Sequence, residues 1–97
     1  MNQITIRIPT PLRGFTKGRD EVVVRGASAG EALTNLGEQC PGILERVLDK
    51  DGKLRPFVNV YVGSNDLKSM QGLATRLEGG AVLSIVPAVA GGAEGRT

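Results

Sequence analysis

The side chains that carry most protein chemistry are scarce in this sequence. There is no histidine among the 97 residues, and histidine is the usual proton-transfer group near neutral pH and a frequent metal ligand. No Ser-His-Asp or Cys-His arrangement can be assembled. Cys40 is the single cysteine, so neither an internal disulfide nor a four-ligand zinc site is available. Its place on an apolar stripe reads as a small core residue. Asp49, Asp51 and Gly52 open like a calcium loop, but the third acid and the distal bidentate Glu are missing at the required spacing, which leaves a turn. These patterns point away from a free-standing enzyme and from a bound metal. What remains is the backbone itself at Gly91-Gly92. Fourteen glycines predict about two adjacent pairs by chance, and Gly79-Gly80 is the other one, so the dipeptide alone reads as a flexible terminus.

The elements that must position these residues follow from periodicity. Ninety-seven residues make one domain, and 40% hydrophobic with 23% charged residues favours folding over disorder. Gln3 to Ile8 alternates with period two, which turns Ile4, Ile6 and Ile8 toward the core before Pro9 and Pro11 end the strand. A loop rich in glycine and charge leads to Glu21–Arg25, a second strand that closes a hairpin. Ser28 followed by Glu31 is a capping box, and Ala29, Ala32, Leu33, Leu36 and Cys40 give the helix behind it one apolar stripe, stopped by Pro41-Gly42. Ile43, Leu44, Val47 and Leu48 extend it by a further turn or two. Asp49 to Gly52 is a turn, Phe57 to Val62 a third strand with Val58, Val60 and Val62 inward, and Gly63 to Asp66 another turn. Asp66 caps a short helical segment to Met70, and Gly79-Gly80 leads into a last strand from Ala81 to Val86, closed by Pro87. The order predicts an α+β sheet under one main covering helix, with its first and last strands able to pair in parallel at the centre.

Charge and hydropathy narrow the partners. Twelve Lys and Arg are scattered among ten Asp and Glu for a formal charge of +2, without the basic stripe of a nucleic-acid binder. Only Phe15, Phe57 and Tyr61 are available to stack on bases. Arg13, Lys17, Arg19 and Arg25 near the first hairpin read as a solvated basic edge, with an acidic partner as the alternative. The longest apolar runs, such as Val86 to Ala90, fall far short of the roughly 20 residues a membrane helix needs, and no signal-peptide core is visible. We expect a cytoplasmic protein that engages neither nucleic acid nor membrane.

Four segments are more specific than any of these patterns. They are Ile8-Pro9-Thr10-Pro11-Leu12-Arg13, Leu54 to Val62 (Leu-Arg-Pro-Phe-Val-Asn-Val-Tyr-Val), Gln71-Gly72-Leu73-Ala74-Thr75, and Ile85-Val86-Pro87-Ala88-Val89-Ala90-Gly91-Gly92. Through them nearly the whole chain resembles the ThiS/MoaD-like sulfur carriers, and most closely the CysO-type carriers of cysteine biosynthesis. The resemblance implies a ubiquitin-like β-grasp, a mixed sheet of four to five strands, over residues 1–87. It further implies a flexible Gly-Gly tail at residues 88–92. It also implies a role as a protein co-substrate. An E1-like adenylating and sulfurtransferase enzyme uses ATP and magnesium to activate the carboxylate of Gly92. Sulfur then displaces AMP to leave a thiocarboxylate, and a cysteine-synthase-like acceptor takes the sulfur. Mature members of the family end at the second glycine, whereas Ala93 to Thr97 continue here. Residues 93–97 therefore read as an extension removed between Gly92 and Ala93, and a zinc protease of the JAMM type is the processing partner the family suggests.

The tail must enter partner active sites. Without a Cβ, Gly91 and Gly92 let other backbones approach closely, and Ala88, Val89, Ala90, Gly91 and Gly92 span at most about 17 Å. Opposite the inward valines, Phe57, Asn59 and Tyr61 face away from the helix with Val86 nearby, so Phe57, Tyr61 and Val86 form an expected docking patch; ordinary surface exposure is the alternative. Two other functions remain open: a β-grasp interaction module that carries no sulfur, and a ubiquitin-like tag joined through Gly92 to lysines.

Overall fold

The computed structural model describes residues 2–87. Strand β1 (Gln3–Arg7) and strand β2 (Glu21–Arg25) pair antiparallel, with Ile4 opposite Val24 and Ile6 opposite Val22. The period-two pattern is realised as expected, since Ile4, Ile6, Ile8, Val22 and Val24 are buried while Val23 is 52% exposed. Between the strands the chain departs from the expected loop. Residues Thr10–Thr16 wind into a 3-10 helix with a proline in its first turn, Leu12 and Thr16 buried, and Lys17 left-handed at its end (φ 59°). Pro11 suits a helix start because its missing N–H would have no partner there. Leu12 supplies the apolar anchor.

Helix α1 (Ala29–Gln39) carries its stripe of Ala29, Ala32, Leu33, Leu36 and Cys40 into the core. Ser28 caps it by accepting from the Glu31 N–H at 3.2 Å. The reciprocal bond shifts by one residue, because Glu31 Oε1 accepts from the Ala27 N–H at 2.7 Å rather than from that of Ser28. The segment before the helix is pinned to the strand-like stretch ahead of β5: Ala29 N–H donates to Thr75 O and Leu77 N–H to Ala27 O, each at 2.9 Å. Helix α2 (Leu44–Val47) is the further turn. Asp49 then closes the expected tight turn, its carboxylate accepting from the N–H groups of Asp51 (2.8 Å) and Lys53 (3.0 Å).

Strand β3 (Val58–Val62) begins one residue later than expected, leaving Phe57 in the preceding turn. Val58 and Val60 are buried and Val62 is half-buried. Gly63 and Ser64 form the turn proper, with Gly63 at φ +61°. Asn65–Asp66 is a short strand, β4, and not part of that turn. It pairs back on Val62 and Tyr61. Asp66 also caps the following 3-10 turn Leu67–Ser69, accepting from the Lys68 N–H at 2.9 Å. Strand β5 (Val82–Pro87) completes a five-stranded sheet in the order β2-β1-β5-β3-β4. Thus β1 and β5 pair in parallel at the centre, as the element order allowed, and every other neighbour is antiparallel. The strands' inner residues, α1, Ile43, Val47, Leu67 and Leu77 merge into one core on the α1 side. Among the described residues no helix covers the opposite face of the sheet.

Candidate functional site

Strand β5 delivers the chain to its C-terminal segment from the middle of the sheet. Backbone polarity alternates along it: Ala81 O accepts from Thr5 N–H of β1 at 3.0 Å, and Val82 O accepts from Gly63 N–H beside β3 at 3.3 Å. Odd positions therefore aim their backbone groups at β1 and even positions at β3. A proline in a central strand ordinarily costs a ladder bond. Here the N–H that Pro87 lacks would face β1, and β1 has already left. Its last paired residue, Arg7, lies opposite Ser84, and the next carbonyl that could face β5, that of Pro9, accepts instead from the Leu12 N–H at 2.9 Å. Pro87 stays opposite Val58 in the β3 pairing. The proline thus sits where it is free of cost, and its ring fixes φ at the last described residue. Ala88 to Gly92, the Gly92–Ala93 junction and residues 93–97 lie outside the described residues.

The uncovered sheet face surrounds that exit. Val86 is directly opposite Asn59, and Tyr61 opposite Ser84. Ser84 lies opposite Arg7 on its other side, and Arg7 opposite Glu21. One row of residues therefore crosses the sheet from Glu21 through Arg7, Ser84 and Tyr61 to Asp66. Val23, Val82 and Val86 are its exposed large apolar side chains. Val86 is 43% exposed, Tyr61 half-buried and Phe57, at the entry to β3, 74% exposed. Tyr61 and Val86 are brought onto one face, and Phe57 stands at its border. Arg7 Nε lies 3.9 Å from Glu21 Oε2, a contact between exposed groups worth about 0–1 kcal/mol that leaves both available to a partner. Arg7, Val82 and Ser84 escaped the reading of the sequence, because no local pattern reports which residues of β1 and β5 stand side by side.

Other sequence candidates resolve plainly. Cys40 is buried at the end of α1. Arg13 is held in the fold, its Nε donating to Ile8 O at 3.1 Å. Arg25 stands at the far end of β2 from Arg19, so the four basic residues of the first hairpin do not form one patch. Among the described residues no group of three or more His, Cys, Asp or Glu could hold a metal ion, and no helix is long and apolar enough to cross a membrane. The arrangement offers a small platform whose central strand β5 leads toward the C-terminal segment.

Comparison with known proteins gives a consistent result. The ThiS family model matches residues 6–92. The sulfur carrier protein CysO of Mycobacterium tuberculosis is 42% identical over 91 residues, covering 92% of this chain and 98% of that protein. The small archaeal modifier protein 3 of Haloferax volcanii is 35% identical over 66 residues, 68% of this chain and 71% of that one. Among solved structures, a chain of the Amycolatopsis orientalis BexX/CysO complex superposes with a TM-score of 0.86 at 38% identity, covering 92% of this chain and 99% of that chain.

Proposed function

The chain belongs to the ThiS family, and we propose from this that it is a sulfur carrier whose reactive group is the carboxylate of Gly92, exposed by removal of residues 93–97. The observation that carries the reading is the extent of the family match, which runs through the tail and stops at Gly92. A peptide-bonded Gly92 has no carboxylate, so cleavage before Ala93 comes first, by a zinc protease of the JAMM type. The freed carboxylate attacks the α-phosphorus of ATP on an E1-like partner, with pyrophosphate leaving. The resulting acyl adenylate is a mixed anhydride with a good leaving group. Hydrosulfide attacks its acyl carbon, the C–O bond to AMP breaks, and a thiocarboxylate and one proton result. Magnesium and nucleotide belong to the partner, so a carrier without histidine suffices. The carrier's own contribution is geometric. A strand in the sheet centre with Pro87 at its end aims the tail, and the open face with Phe57, Tyr61 and Val86 docks. We place the protein in the cytoplasm, with a cysteine-synthase-like enzyme as the acceptor of the sulfur.

Similarity to an archaeal modifier protein supports a second use of the same activated glycine, conjugation to lysine amines. Intact mass of the protein recovered from its own host, with the C-terminal peptide sequenced, separates the readings. A chain ending at Gly92 whose C-terminal peptide carries sulfur in place of one carboxylate oxygen is the expected result. Isopeptide-linked lysines on other proteins would favour conjugation, and a chain ending only at Thr97 during active sulfur metabolism would overturn both.

A further inference from the structure

Between the segment that leads into β3 and the turns that follow β4 lies a groove of about 320 Å³ with an apolar floor and a cationic rim. Half-buried Leu54 and Leu73 line it with Gly72, and exposed Lys53 and Lys68 flank it. Both lysines stand on fixed backbone. The Lys53 N–H donates to Asp49 Oδ1 at 3.0 Å and its carbonyl accepts from Asp49 N–H at 2.7 Å, while the Lys68 N–H donates to Asp66 Oδ1 at 2.9 Å. Among the described residues the one side-chain ion pair is Arg7–Glu21, so neither rim ammonium is neutralised by a carboxylate.

The groove's position ties it to the tail. Lys68 Nζ donates to Pro56 O at 3.3 Å, and Pro56 lies two residues, at most about 7 Å, before Val58, which faces Pro87 across the sheet. A partner that holds the C-terminal segment and also reaches the start of β3 meets the Lys68 rim of the groove. Two unpaired ammonium groups over leucine select a segment that offers an apolar side chain flanked by Asp or Glu. A phosphate polymer would gain nothing from the leucine floor, and two lysines are too few for the phosphate track that such binding needs.

We propose that the Leu54–Leu73 groove, rimmed by Lys53 and Lys68, receives an acidic segment bearing an apolar side chain on the enzyme that activates Gly92. It is a second docking point separate from the open sheet face. The proposal rests on the carrier reading, and the assay separates the two. The chain ending at Gly92 is titrated into ATP–pyrophosphate exchange by the E1-like adenylating enzyme of the same organism, at low and at physiological salt. The double variant Lys53→Glu/Lys68→Glu is expected to raise KM for the carrier by about ten-fold, to keep kcat, and to flatten the salt dependence of KM. Arg25→Glu, at the opposite edge of the sheet, is expected to leave KM unchanged. Methyl resonances of Leu54 and Leu73 should shift on binding the enzyme and stay in place when the free chain is cut after Gly92. An unchanged KM for the double variant beside normal wild-type exchange would overturn the groove alone. Movement of the two leucine methyls on cleavage would overturn it too, by assigning the groove to this chain's own tail. No exchange with the wild-type chain would overturn the carrier reading and this proposal together.

Discussion

Replacing Phe57 by alanine should weaken partner binding strongly while leaving the fold intact. The ring is 74% exposed in the turn before β3 and belongs to no part of the buried core. Taking about 200 Å² as the surface a phenylalanine can bury, that exposure leaves about 150 Å² for a partner to cover. At about 25 cal/mol per Å² the full transfer is worth about 3.7 kcal/mol. Association recovers only part of such area, because ordering and imperfect desolvation offset it. Half of the transfer is about 2 kcal/mol, or about 30-fold in Kd. Val86 is a useful comparison. Fully burying a valine is worth about 1.5–3 kcal/mol, so at 43% exposure it has about 1 kcal/mol left to contribute. Phe57 should therefore dominate the patch. Calorimetric titration of the chain ending at Gly92 against the E1-like enzyme measures the first number, and thermal unfolding of the free variant checks the second, with Tm expected within about 3 °C of wild type. A Kd within two-fold of wild type would remove Phe57 from the interface. A fall in Tm of about 10 °C would show that the ring is packed, and the area argument would fail at its start.

Three further outcomes test other links. A bulky residue in place of Gly92 should abolish adenylation with the fold unchanged, read by ATP–pyrophosphate exchange and circular dichroism; normal exchange would mean that the tail does not enter a narrow site. Pro87→Gly loses no hydrogen bond but frees the exit dihedral, so KM in the same exchange assay should rise about two- to five-fold while the freer unfolded chain lowers Tm by about 4–8 °C, and a much larger Tm loss would contradict the placement of its missing N–H. Gly26→Ala would put a Cβ 2.7 Å from Ala32 N and 2.9 Å from its Cα. Backbone must then move, and a loss of about 1–3 kcal/mol is expected in urea unfolding.

The local elements were legible because each rests on neighbours in the chain. Ile4, Ile6 and Ile8 alternate, Ser28 and Glu31 lie one helical turn apart, Asp49 closes its own loop, and Asp66 caps the turn that follows it; short-range sterics and hydrogen bonding decide all of these. Where the sequence misled, a competing interaction was equally local but harder to weigh. Pro11 and Leu12 turn an expected loop into a 3-10 helix, and the pairing of Asn65 and Asp66 with β3 prolongs a hairpin that looked finished at Gly63.

Function was legible for a different reason. The absence of histidine and the lone Cys40 removed most catalytic chemistry, and the four family segments, ending at Gly91-Gly92, named the chemistry that remained. Other matters needed the folded molecule. The parallel pairing of β1 with β5 joins residues almost eighty positions apart, and no periodicity records its register. Only that register aligns Glu21, Arg7, Ser84, Tyr61 and Asp66 in one row and shows that Pro87 lies where β1 has already departed. Sequence determines what each segment can do alone, because propensity and capping act over a few residues. Tertiary structure decides which distant segments share a surface, because burial of one common core sets their order and offset.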